Sequence, residues 1–227
     1  MSARSIAIAG AGIGGLTAAL ALAKAGCAVT LLERAEVLEE AGAGVQLAAN
    51  ATRCLKSLGV YQRVAEQAVF PTAFAVLDGR HGTRLSGGPM GAAAEDRFGG
   101  PFLVIHRADL QSALLDAVRE VPSITLKLRH ALESFTHDTA GVALKLRNAD
   151  GEATLTADAL IGADGLRSVV RGALQPQAKP SFRHRAAWRA TVPVEALPAR
   201  LTDKVTRLWL GPGAHLVTYP VKAGRAI

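Results

Sequence analysis

The stretch Ser5-Ile-Ala-Ile-Ala-Gly10-Ala-Gly12-Ile-Gly14-Gly15-Leu-Thr-Ala-Ala-Leu20 decides the fold. Ser5 to Ala9 reads as a short buried strand, the glycines as a turn, and the residues from about Gly14 to Ala25 as a helix. Leu16, Ala19, Leu20 and Ala23 recur at i, i+3, i+4 and i+7, which gives that helix one apolar face. Gly26 ends it, and Ala28 to Leu32 reads as a second buried strand. The product is a βαβ unit. The run from Ile6 to Ala23 behind Arg4 superficially resembles a secretory signal, but its four glycines would make a poor hydrophobic helix. No other stretch suggests a membrane span, so a cytoplasmic protein is expected.

Gly10, Gly12 and Gly15 fit the G-x-G-x-x-G fingerprint between strand and helix, with Gly14 beside the third glycine. The first glycine permits the turn, the second lets a pyrophosphate approach the backbone, and the third packs helix on strand. The helix N-terminus adds free N–H groups and a positive dipole for phosphates. Glu33 follows the second strand, where a carboxylate accepts hydrogen bonds from ribose hydroxyls. A carboxylate there repels a 2′-phosphate, so the site should hold NAD or FAD rather than NADP.

Farther along, Asn50 is placed to cap a helix running to Leu58 and stopped by Gly59. Ala73–Asp78 and Thr83–Ser86 read as a hairpin, and 87–100 as a glycine-rich loop. Phe102–His106 is a strand entering a helix over Ala108–Val121. Strands follow at Thr125–Leu128, Val142–Leu146, Ala153–Thr156 and Ala159–Ala163, then Asp164-Gly165 and a short helix from about Ser168. Beyond Ala187 only strands are expected: Ala187–Val192, Val205–Leu210 and His215–Tyr219. No internal repeat is visible. The Asp158–Arg171 stretch puts an acid and a flexible glycine at a strand's C-terminal end, with arginines around a helix N-terminus. Such a site can hold ribose and pyrophosphate groups together.

The chain of 227 residues is 49% hydrophobic and 20% charged, which excludes a disordered polymer and supplies a sizeable core. Cys27 and Cys54 match no disulfide scaffold or metal spacing, so no metal is expected. The net charge of +7 is uneven: residues 166–227 hold 11 basic and 2 acidic side chains. Arg183, His184, Arg185 and Arg189 neighbour Phe182 and Trp188, the kind of interleaving found in nucleic-acid modules. Strands with arginines fit a substrate domain equally well, and no nucleic-acid partner is expected.

Taken together, these segments resemble the single-component FAD-dependent aromatic hydroxylases, the p-hydroxybenzoate and salicylate hydroxylase group of flavoprotein monooxygenases. The resemblance rests on 10–15, Leu32-Glu33-Arg34, Gly42-Ala43-Gly44-Val45-Gln46 with Asn50, and Ile105-His106-Arg107-Ala108-Asp109-Leu110. It continues through Gly162-Ala163-Asp164-Gly165, Gly211-Pro212, and His215 to Tyr219-Pro220. It implies an α/β fold with a Rossmann-like FAD-binding βαβ domain interleaved with a β-sheet substrate domain. The cofactor-binding segments would be 1–70 and 100–175, and the substrate-domain segments 71–99 and 176–227.

By the same resemblance FAD is the cofactor and NADH or NADPH a transient electron donor. Gly10, Gly12, Gly14, Gly15, Glu33, Arg34, Arg107, Asp164 and Gly165 are the cofactor-binding residues. The substrate would be a small phenolic or carboxylated aromatic, hydroxylated with O2. On a strand of period two His215, Val217 and Tyr219 share a face, so His215 is the candidate base and Tyr219 its proton relay. Gln46 is a further substrate-side candidate. The group's third motif, Gly-Asp with a later proline, is absent, since no Gly-Asp dipeptide occurs. A C-terminally truncated member is therefore expected, with a homodimer compatible with a full-length form. Two other readings fit the residues: a non-catalytic FAD-binding remnant, and a flavin oxidoreductase acting on a non-aromatic substrate. The charge reading has its own check, a salt-dependent mobility shift, in which no binding at low salt is expected.

Overall fold

The computed structural model describes residues 3–38 and 43–227. The first part of the chain runs β1 (Ser5–Ala9), α1 (Ile13–Lys24), β2 (Ala28–Leu32), β3 (Gly44–Leu47), α2 (Ala49–Ser57) and α3 (Tyr61–Gln67). The middle holds β4 (Ala73–Asp78), β5 (Arg84–Pro89), α4 (Ala92–Phe98), β6 (Leu103–His106) and α5 (Arg107–Arg119). Then come β7 (Ile124–Lys127), β8 (Ala131–Asp138), β9 (Gly141–Asn148), β10 (Gly151–Ala157), β11 (Ala159–Gly162) and α6 (Val169–Leu174). The chain closes with β12 (Val205–Gly211) and β13 (Ala214–Thr218). Among the described residues no helix is long and apolar enough to cross a membrane.

Contacts divide the chain into two units, Met1–Glu39 with Leu114–Ala187, and Glu40–Ala113 with Trp188–Ile227. The segments expected from motif order cut the chain elsewhere, because motifs follow the ligand whereas contacts follow the cores.

In the first unit β1 lies inside a parallel sheet of order β11-β1-β2-β7. A strand covered on both faces should read as a continuous apolar run rather than an alternation. Ile6, Ala7, Ile8 and Ala9 are accordingly all buried. Helix α1 buries Gly15, Leu16, Ala19 and Leu20; of the face expected from the sequence pattern, Leu16, Ala19 and Leu20 are buried and Ala23 is only partly so. An antiparallel sheet, β10-β9-β8, supplies a second layer. Its β9 alternates strictly, with Val142, Leu144 and Leu146 buried in one cluster with Ala7 and Leu32.

Strand β8 is missing from the sequence reading, and its geometry explains why. The pairing with β9 shifts between Leu132 and Ser134, so Leu132 opposes Leu146 while Phe135 opposes Leu144. Both apolar residues pack into the core although they lie three apart. A bulge of this kind breaks the period of two on which strand detection depends.

In the second unit β13-β12-β4-β5 form a mixed sheet in which β12 and β4 run parallel and the other pairs antiparallel. Strands β3 and β6 form a separate antiparallel pair with Gly44 opposite His106 and Gln46 opposite Val104. Asn50 lies inside α2, whose N-cap is Ala48 with no side-chain hydrogen bond, so the helix begins earlier than an Asn50 cap would allow. The 87–100 loop contains the end of β5 and helix α4, which Gly99 stops in the left-handed conformation. Residues 187–192 are irregular rather than a strand; only at Val192, whose N–H and carbonyl exchange hydrogen bonds with Ile227, does the segment meet another in ladder fashion.

Leu144 is 1% exposed at the centre of the sheet-on-sheet cluster. Leu144→Ala should therefore lower stability by about 2–5 kcal/mol. Urea unfolding measures this, and a loss below about 1 kcal/mol would place the core elsewhere.

Candidate cofactor site

At Gly10 three backbones converge. Its φ of +98° lies in the region that favours glycine, and its N–H donates to the Leu32 carbonyl at 2.7 Å. A Cβ here would stand 2.4 Å from the carbonyl oxygen of Ala163, the residue that follows β11. Gly15 is constrained from the other side, since its Cβ would lie 1.8 Å from the Gly10 carbonyl oxygen. Thus the first glycine makes the turn and the third seats α1 upon it, as the fingerprint requires. Gly12 has open space where a Cβ would be, at the N-cap of α1, which leaves room for a ligand against its backbone. Gly14 is exposed with equally open space, and no packing contact demands a glycine there.

The first turn of α1 holds no acidic residue and no side-chain cap, so its outward N–H groups remain available to an anion. Glu33 is fixed directly beside them. Its Oε2 accepts from the Ala11 N–H at 2.9 Å and its Oε1 from the Ala35 N–H at 2.9 Å. Each oxygen retains acceptor capacity for a ribose hydroxyl. The backbone of Glu33 is also tied, by donation to Lys127 and acceptance from the His130 N–H.

Asp164 closes the opposite wall. Its Oδ1 accepts from Ser168 Oγ at 2.5 Å, and its Oδ2 from the N–H groups of Val169 at 2.7 Å and Val170 at 3.3 Å. Ser168 Oγ in turn accepts from the Arg171 N–H at 2.9 Å. Arg171 Nη1 donates to the Gly165 carbonyl at 3.4 Å, and Nη2 to the Leu166 carbonyl. Ser168 is thus the N-cap of α6, and Asp164 satisfies further N–H groups of its first turn while it walls the cleft. Gly165, with φ of +77°, lets the chain turn between those two duties.

These residues enclose a cleft of about 260 Å³ lined by Gly10, Gly12, Glu33, Arg34, Asp164, Gly165 and Arg167, with His130, Ala131 and Leu132 along one side. Compared with the roughly 300–1,000 Å³ of common ligand pockets, it has room for part of a dinucleotide. Residues 130–132 and Ser168's bond to Asp164 are absent from the sequence-based site. His130 belongs to the connection into the undetected β8, and its Nδ1 is engaged by the Leu128 carbonyl at 2.7 Å. A second hollow of about 360 Å³ at Ala3, Arg4, Asp138 and Asp158 is more open to solvent, and its Asp158 is already bound by Ser5.

The remaining candidates belong to the second unit. Arg107 opens α5, its N–H donating to the Ala43 carbonyl at 3.1 Å. Gln46 is exposed on β3. Gly42, part of the same sequence motif, lies outside the described residues. His215 is exposed on β13, paired with Leu210, while Val217 pairs with Leu208. Directly opposed residues share a sheet face, so His215 and Val217 look out with those leucines. Tyr219 follows the end of β13, half-buried; burial pushes its phenol above its ordinary pKa, and the nearby Arg189 charge partly opposes this.

A glycine turn, a helix N-terminus and a carboxylate held by two backbone N–H groups surround one cleft of this α/β unit. The profile of the FAD binding domain family matches residues 4–212, and the chain belongs to that family. It is 36% identical over 218 residues to 3-hydroxybenzoate 6-hydroxylase of Klebsiella oxytoca, covering 96% of this chain and 54% of that protein. It is 35% identical over 222 residues to 3-amino-4-hydroxybenzoate 2-monooxygenase of Streptomyces cremeus, covering 98% of this chain and 55% of that one. Among solved structures, Klebsiella pneumoniae HpxO complexed with FAD and uric acid superposes with a TM-score of 0.81 at 26% identity, covering 98% of this chain and 55% of that chain. The chain thus spans about half the length of the curated relatives it matches.

Hydrogen bonds to a charged carboxylate contribute about 1.5–3 kcal/mol. Glu33→Ala should therefore weaken FAD binding by about ten- to a hundredfold, read by flavin fluorescence titration. Unchanged affinity would remove Glu33 from the site.

Proposed function

We propose that this chain carries the FAD site and part of the substrate site of a monooxygenase that hydroxylates a small phenolic or carboxylated aromatic with NAD(P)H and O2. The observation that carries the reading is the Glu33 carboxylate held between two backbone N–H groups beside an uncapped helix N-terminus. Both named relatives act on hydroxybenzoates by their names, which supports the substrate class. Residues 1–70 and 100–175 serve the cofactor, and 71–99 and 176–227 the substrate.

The flavin, when bound, supplies the electron transfer and oxygen activation; the protein supplies binding, orientation and proton handling. Gly10, Gly12, Gly14 and Gly15 form the pyrophosphate cradle with the α1 dipole, and Glu33 takes the adenosine ribose. Arg34, Arg107, Asp164 and Gly165 complete the cofactor contacts. A phenolic ring reacts faster as phenolate, so a base at its hydroxyl accelerates hydroxylation. His215 takes that proton, and Tyr219 orients the hydroxyl with its own phenol. Tyr219 suits this part because its burial keeps it protonated, a donor rather than a second anion. Gln46 reads another polar substituent of the ring. Such a protein works in the cytoplasm, where NAD(P)H is supplied, and a homodimer is its proposed assembly.

The purified protein should show flavin absorbance bands and oxidise NAD(P)H in response to a hydroxybenzoate. His215→Ala should lower kcat by about 10²–10⁴ while FAD content is retained. A protein without flavin bands contradicts the main reading, and wild-type turnover across the pH range in His215→Ala removes the proposed base. A non-aromatic substrate would show itself as NAD(P)H oxidation that no hydroxybenzoate stimulates.

A further inference from the structure

Gly44 lies in an ordinary strand, paired opposite His106, and its backbone is not among those with positive φ. A glycine inside a strand loses backbone entropy and contributes no side chain, so conformation does not explain it here. Space does. A Cβ at Gly44 would stand 2.2 Å from Tyr219 Cε2, 3.0 Å from Tyr219 Cζ and 2.8 Å from Val221 Cγ1. The hydroxyl-bearing edge of the Tyr219 ring therefore rests on the bare Cα of Gly44. Gln46, two residues along β3, points to the same face, roughly 7 Å farther on.

We propose that Gly44 is a positioning residue for Tyr219: its missing side chain seats the phenol on the β3 face that carries Gln46, so that phenol and amide address one polar edge of the substrate. The proposal rests on the reading of Tyr219 and Gln46 as substrate-side residues. It joins β3 and the residues after β13, which lie far apart in the sequence, through one steric requirement. A methyl group at residue 44 must push the ring off the strand or push the strand away, because the contact is with a ring edge and not with the end of a flexible chain. Displacements of about 1 Å in such a group can slow turnover on the order of a hundredfold.

The chain has two tyrosines, so Tyr61→Phe leaves Tyr219 as the only phenol that can titrate. In that background the tyrosinate absorbance should rise at a higher pH than for a free phenol, since burial disfavours the anion. Gly44→Ala should move that midpoint down toward the ordinary value and lower kcat by about a hundredfold, with FAD content unchanged. An unmoved midpoint overturns the positioning role. A moved midpoint with unchanged kcat overturns the catalytic reading of Tyr219 and the functional half of the proposal with it. Should Gly44→Ala fail to fold, the cycle with Tyr219→Ala decides. A large loss of thermal stability that mostly disappears when Tyr219 is truncated supports the contact, with Val221 accounting for the remainder. Equal losses in both backgrounds overturn it.

Discussion

Everything in the first unit depends on the crossing at Gly10, where the turn after β1, the carbonyl of Ala163 and the start of α1 meet without a side chain between them. The sheet can be continuous from β11 to β2 only if that corner stays empty. Glu33 makes the same corner chemically useful. Its carboxylate is held by the Ala11 N–H inside the turn, so the residue that would read a ribose is also the one that locks the phosphate loop. Packing and binding share one set of backbone groups, and a change to either is felt by both.

The acid at the other wall follows the same economy. Asp164 satisfies the first N–H groups of α6 and, through Ser168, holds the Asp-Gly segment in place. Arg171 returns over that segment to its carbonyls. Part of the basic excess after residue 165 is thereby local structure: Arg171 tethers a loop, and Arg207 pairs with Asp203 at 2.7 Å. Arg34 and Arg167 line the cleft, where they suit a diphosphate. A polyanion partner is not needed to account for them.

How much of this was legible in the sequence differs by element, for physical reasons. The β1–α1–β2 unit was readable almost to the residue, because glycine spacing and apolar periodicity both follow from its backbone geometry. Glu33 was readable for the same reason, being the first polar residue after a buried strand. Strand β8 was not, since its bulge removes the alternation, and with it went His130 and its neighbours along the cleft. Helix α4 was hidden by Gly91 and Gly99, which flank it and make a helical stretch of alanines look like loop. Tyr219's seat on Gly44 joins strands remote in sequence, a contact that no local pattern encodes. Of the strand face expected to carry His215, Val217 and Tyr219, the first two lie on β13 and Tyr219 follows its end, and residues 187–192 are irregular where a strand was expected.

The central claim is that this chain recognises the adenosine diphosphate half of FAD through the glycine turn and Glu33. Parallel fluorescence titrations of the purified protein with FAD and with FMN, which keeps one phosphate but lacks the adenosine monophosphate part, test it most directly. FAD should bind at least tenfold more tightly than FMN; equal affinity for the two flavins would contradict the account.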